Sequence, residues 1–194
     1  MLGKPKFNAD EILKAEYNYI ASTVFQANED RSRVASFYFV SVGSLVAAIL
    51  SAIFSTSNLK NVLLAFSGLF LVLTILGALT LAQLARLRAA WHESVQAMNQ
   101  IKDFYIEHNK EIAPAFKWRL DTLPPTDKPY SIANLMAFEV SLLGAITSAA
   151  SMYFLLAALG SIAWWGGALL IAATVVAGYV ALWAWYKYLL VDNQ

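Results

Sequence analysis

Apolar and polar residues fall in blocks along this chain, not in stripes. Four long apolar runs cover residues 34–54, 62–84, 135–159 and 167–190, about half of the 194 residues. An α-helix rises ~1.5 Å per residue, so ~20 apolar residues cross a ~30 Å hydrocarbon core. Each run reaches that length, and none carries Asp, Lys or Arg at its middle. Buried helices of a soluble bundle would each keep a polar stripe, and none is visible. The pattern predicts an all-α, four-span membrane protein built as two transmembrane hairpins.

Between the runs the pattern becomes helical with one apolar seam. Asn8 and Glu11 have capping-box spacing, and no Gly or Pro interrupts residues 9–42. Leu13, Tyr17, Ile20 and Val24 alternate four- and three-residue steps, as a packing seam does. Leu84, Leu87, Trp91, Met98, Ile101 and Tyr105 repeat this after the second run, with Ser94 in the gap and no proline before Pro114. Helices 1 and 2 are therefore expected to extend beyond the membrane and pack antiparallel as a stalk. Short helices bury little alone, so stalks of several subunits should pack together, with Trp91 buried against a neighbouring helix. Residues 114–134 contain Pro114, Pro124, Pro125 and Pro129, too many for a long helix. Phe116, Trp118, Leu120 and Leu123 argue that this connection lies on the stalk or at the headgroup boundary. The expected divisions are 1–33, a cytoplasmic N-terminal helix; 34–85, hairpin 1; 86–134, a cytoplasmic helix and Pro-rich connection; and 135–194, hairpin 2 with a short tail.

Charge orients the frame. Thirteen of the fourteen Lys and Arg lie on one side of the runs, with Lys60 alone on the other. The positive-inside rule makes the richer side cytoplasmic, with both termini inside. The outer connections, 55–61 and 160–166, are short. The first sixteen residues hold no apolar core before Asp10, so no cleavable signal is expected and the first span does the targeting. Trp164 and Trp165 at the outer turn, and Trp183, Trp185, Tyr186 and Tyr188 at the inner end of the last run, read as interfacial belts, with an aromatic ligand cage as the alternative.

Composition removes whole classes of function. Hydrophobic residues make up 59% and charged residues 14%, and mean hydropathy is +0.54. Net charge is +1 with no basic block, which gives no call for nucleic acid. Without cysteine there are no disulfides, thiolate nucleophiles or Cys-based metal sites. His92-Glu93-Ser94-Val95-Gln96 starts like a zinc-protease helix but lacks the second histidine. Glu107, His108 and Glu111 share part of a helix face, more simply read as solvated than as a metal site. No phosphate loop or nucleophile elbow is present, so neither catalysis nor a cofactor is expected.

Candidate residues therefore concern assembly. Glu139, an acid about one turn inside the third run, suits a shallow ion pair with Arg33, Arg86 or Lys187, or else a coupling or pore role. Thr74, Gln83, Thr147, Ser148 and Ser151 could line a polar path or serve helix contacts. Gly43-Ala47-Ser51 and Ala173-Ala177-Ala181 are small-residue faces of the kind that lets helices approach closely in lipid. The densest polar cluster holds Asn28, Glu29, Asp30, Arg31 and Arg33, with Glu29–Arg33 at i,i+4. It is either a solvated collar at the membrane edge or a network with Glu93, Asn99, Lys102 and Asp103 of the second helix.

Residues 19–38, with their Val24-Phe25-Gln26-Ala27-Asn28-Glu29-Asp30-Arg31-Ser32-Arg33 core, and Ala90-Trp91 followed by Met98-Asn99-Gln100-Ile101-Lys102-Asp103-Phe104-Tyr105 resemble the RipA-like family of small bacterial octameric membrane proteins. The likeness covers the first hairpin and its helices. It implies a homo-oligomer of the bacterial inner membrane, octameric on the family's pattern, without established catalytic activity. A weaker likeness is to SLATT-type membrane effectors, which typically have two spans. Two classes of function follow. One is a structural or interaction protein, a homo-oligomer in lipid whose cytoplasmic platform leaves room for a protein partner. The other is an oligomeric pore or membrane-disrupting effector.

Overall fold

The computed structural model describes residues 9–52, 59–160 and 164–191. The Asn8 cap, much of both outer connections and the Trp164 side chain lie outside the described residues. Four long helices account for most of the rest: α1 (Ala9–Ala52), α2 (Leu59–His108), α3 (Ile132–Leu159) and α4 (Trp164–Val191). All four are long and apolar enough to cross a membrane, as expected of a multi-pass membrane protein.

Length separates two kinds of helix. With 44 and 50 residues, α1 and α2 run about 66 and 75 Å, while a bilayer core takes ~30 Å. Each therefore continues well past its apolar run into a polar half. No proline breaks either one. By contrast, α3 and α4 have 28 residues each, close to the length of a tilted span. Ser131 caps α3 by accepting from the Asn134 N–H at 3.3 Å. Gly160 ends it at φ 65°, a left-handed conformation that glycine takes without a Cβ penalty. Proline shapes the connection as the sequence predicts. Only two short 3-10 helices form, Lys110–Ala115 and Leu120–Thr122.

Packing makes α2 the centre, in contact with α1, α3 and α4, while α3 also carries α4. The apolar core joins Tyr38 and Val42 of α1, Phe66, Phe70 and Leu81 of α2, Ala137 and Val140 of α3, and Leu182 and Tyr186 of α4. Tyr38 is the most buried described residue of α1, and a glycine on α2 leaves room for it. A Cβ on Gly77 would stand 2.7 Å from the Tyr38 hydroxyl oxygen. Two polar clasps tie α2 to α3: Thr74 and Thr147 hydroxyls at 3.0 Å, and Ser67 donating to the Ser151 carbonyl at 2.9 Å. Ser148 donates to the Ala145 carbonyl. The Ser and Thr residues that could have lined a path are thus largely engaged in contacts within or between helices.

The fourth helix is peripheral. Only 6% of its apolar window is buried, against 22–28% for the other three. Ala173, Ala177 and Ala181 all face outward, as do Gly43, Ala47 and Ser51. Both small-residue faces are therefore uncovered within one chain.

Candidate functional site

The charged end of the bundle is organised by two arginines that fall in phase with apolar seams. Along α1 the buried positions are Ile20, Ala27, Arg31, Ala35, Tyr38, Val42 and Ile49, in steps of three, four or seven that keep one face. Along α2 they include Leu81, Leu84, Ala85, Arg88, Asn99 and Ile106. The helices are antiparallel, with Thr23 donating to Ser94 at 3.2 Å and Tyr38 on Gly77. That register sets Arg31 level with the turn holding Ala85, about one turn from Arg88. Each arginine is 5% exposed. Tyr186 of α4, 1% exposed, lies within electrostatic reach of both guanidinium groups.

The two cations are treated differently. Arg88 donates from Nε to the Thr126 carbonyl at 2.9 Å and from Nη2 to the Pro125 carbonyl at 3.4 Å. Its guanidinium also sits 4.4 Å from the Trp91 ring centre, a cation–π geometry. Arg88 thereby fastens the Pro-rich connection to α2. Arg31 has no such partners. Its Nε and Nη2 are sealed from solvent and meet no acceptor, and no carboxylate pairs with either arginine among the described residues. Burial, and then the like charge of Arg88, lower the Arg31 pKa from its usual value. An uncompensated buried charge costs several kcal/mol, and proteins commonly match such a charge with an anion.

The nearby acids are committed elsewhere or face away. Asp30 pairs with Arg33 at 3.4 Å, and Asp127 with Lys187 at 3.9 Å. The expected Glu29–Arg33 pair is thus replaced by an i,i+3 pair, because Asp30 is the nearer acid when Arg33 points outward, 77% exposed. Asn28 and Glu29 are exposed too. Of the polar cluster, Arg31 alone turns fully into the protein.

The expected partners on α2 serve a different neighbour. Lys102 donates to Asn99 Oδ1 at 3.0 Å and to the Trp118 carbonyl at 3.4 Å. Asp103 faces Arg119 at 3.6 Å. The bonds of Asn99, Lys102 and Asp103 reach the connection or their own helix, and none reaches the α1 cluster. The reason is steric: the connection folds back along α2 and occupies that face. Trp91 is half-buried within one chain, with the Arg88 guanidinium over its ring. Glu139 is exposed and makes no ion pair with Arg33, Arg86 or Lys187 among the described residues.

Sequence reading missed Arg88 and Tyr186. Pattern alone makes Arg88 a topological charge and sets Tyr186 in the interfacial belt, where Trp185 and Tyr188 do lie exposed. A signal was present. Arg31 continues the Leu13-Tyr17-Ile20-Val24 seam in phase, and a cation on a seam needs an explanation. A groove of about 460 Å³ opens between α1 and α2, lined by neither Arg31 nor Arg88. Val34, Phe37, Tyr38, Leu76, Leu79 and Thr80 line it, with Arg33 and Gln83 at its polar end. No family model, curated protein or solved structure matches the chain.

Proposed function

We propose that this chain is a non-enzymatic subunit of a homo-oligomeric assembly in a bacterial inner membrane. Hairpin 1 continues into a cytoplasmic stalk, and the stalks form a platform for other proteins. The observation that carries the proposal is apolar surface on the polar half of α1. Ile12, Tyr19 and Phe25 are 51%, 65% and 66% exposed, beyond the apolar run and therefore in water, not lipid. Ile12 and Tyr19 flank one side of the buried seam and Phe25 the other, by helical periodicity. Apolar surface of this kind marks a protein contact, and two uncovered sides suit a ring in which each subunit meets two neighbours. The outward small-residue faces of α1 and α4 supply matching contacts in lipid. The resemblance to RipA-like octamers points the same way. A pore finds less support, because Ser67, Thr74, Thr147 and Ser151 are used between α2 and α3.

Light scattering on the detergent-purified protein tests this reading. The expected protein mass is a multiple of 21.4 kDa. Replacing Tyr19 and Phe25 together by Ser should shrink the particle without preventing membrane insertion. A wild-type particle of one chain would overturn the assembly.

A further inference from the structure

We propose that neighbouring copies of this chain meet head to tail, an Ile12-Glu16-Tyr19 ridge on one seated in a groove on the next, with Glu16 against Lys14 there. This contact rests on the assembly proposed above. The groove lies between α1, α2 and the connection and holds about 490 Å³. Leu13 and Tyr17 of α1, Ile101 and Tyr105 of α2 and Phe116 of the connection give it an apolar floor. Each of these five is only half-buried within one chain, and all lie beyond the apolar runs, where lipid does not cover them.

The ridge has the complementary form. Ile12, Glu16 and Tyr19 follow one another by four and three residues, which keeps them on one face of α1, and all three are exposed. Two apolar side chains thus flank a carboxylate that has no ion pair among the described residues. Asp10, Lys14 and Lys102 edge the groove, two cations against one acid. Lys102 is held by Asn99 Oδ1 and the Trp118 carbonyl. Lys14 is exposed and without an ion pair among the described residues, so it is the cation free to meet Glu16.

Height along the stalk favours a second copy as the occupant. Copies related by an axis along the membrane normal keep one height, so they join only surfaces that share a level. The ridge takes up residues 12–19 of α1 and the groove residues 10–17, nearly the same two turns. Helical periodicity sets Asp10, Lys14 and Tyr17 toward one side of the buried Ile20 and Ala27, and the ridge toward the other. A chain therefore cannot fill its own groove. Unlike surfaces on opposite sides of one subunit make a head-to-tail contact, which closes as a ring where the rotation allows.

Disulfide trapping in isolated membranes tests this, since the chain has no cysteine of its own. Lys14 and Glu16 point to opposite faces of α1, so a chain carrying both Lys14→Cys and Glu16→Cys cannot bridge within itself. Oxidation should turn that double variant into a ladder of covalent multimers beyond the dimer, because each chain offers one cysteine to each neighbour. Lys14→Cys and Glu16→Cys alone should stay single chains, since like surfaces do not meet. Bridging in either single variant, or a double variant that stops at the dimer, would overturn the head-to-tail contact. So would a double variant that stays unbridged while light scattering finds several chains per particle. A particle of one chain overturns the assembly on which the contact rests. The charges are read separately on detergent-purified protein. Glu16→Lys should raise the concentration at which the particle dissociates about fivefold, the upper range for one exposed ion pair. Adding Lys14→Glu to that chain should reverse the effect, and no recovery would overturn Lys14 as the partner of Glu16.

Discussion

At the scale of single residues, this protein is shaped by where its few charges meet apolar seams. Arg31, Arg33 and Asp30 lie within one turn, yet one is buried and two form an exposed pair. Exposed pairs contribute ~0–1 kcal/mol, so the chemical weight falls on Arg31. His92 shows the same influence one turn beyond Arg88. Partial burial lowers its pKa from 6.5, and the charge of Arg88 adds to that, with Glu93 opposing. The folded protein therefore binds fewer protons at His92 than the unfolded chain does below pH 6.5. Stability from this site is present above that value and is lost as pH falls through the lowered folded pKa. The melting temperature of wild type should fall from pH 7.5 to 5.5 more than that of His92→Gln. Parallel profiles for the two proteins would remove His92 from the account.

At the scale of elements, the α1–α2 contact depends on one close approach. Tyr38 is 1% exposed, with its hydroxyl oxygen 2.7 Å and Cζ 3.1 Å from where a Gly77 Cβ would stand. The ring is walled in, so it cannot yield cheaply. Gly77→Ala should cost about 1–3 kcal/mol, the usual range for overpacking. Tyr38→Phe in the same chain removes the nearer atom and should restore part of that loss. A melting temperature for Gly77→Ala equal to wild type would mean that the helices separate more easily than their packing indicates. The Pro-rich connection acts as a third element on this pair. Its carbonyls at Trp118, Pro125 and Thr126 accept from Lys102 and Arg88, giving a segment without long helices a fixed course along α2.

At the scale of the whole molecule, four membrane-capable helices and a one-sided charge distribution dictate layout. Thirteen of fourteen Lys and Arg share one side of the apolar runs, and the proposed topology sets that side in the cytoplasm by the positive-inside rule. Reporters active only in the cytoplasm should work when fused at Gln194 or between Pro124 and Pro129, and not at Ser57. An active fusion at Ser57 would reverse or break the proposed topology. In that proposed topology the polar half of α1 stands in the cytoplasm with Ile12, Tyr19 and Phe25 uncovered, where the proposed assembly places neighbouring subunits.

The apolar runs by themselves determined four membrane-capable helices, because the hydrocarbon core sets a length and composition that few other structures satisfy. The absence of Gly and Pro from residues 9–42 determined that α1 continues without a break from its polar half into its apolar run, and four prolines determined that the connection would not. Which side chains face one another was decided only by the tertiary structure. Lys102 was legible as a polar residue on a helix, but beside Asn99 its partner is a main-chain carbonyl folded back from some sixteen residues on. Glu139 was legible as an acid near a helix end, yet its exposure depends on how α3 is rotated against α2 and α4. Arg31 and Arg88 are 57 residues apart in sequence and become neighbours through an antiparallel register. Periodicity assigns each to a face, whereas register, which depends on the fit of Tyr38 over Gly77, assigns each to the other.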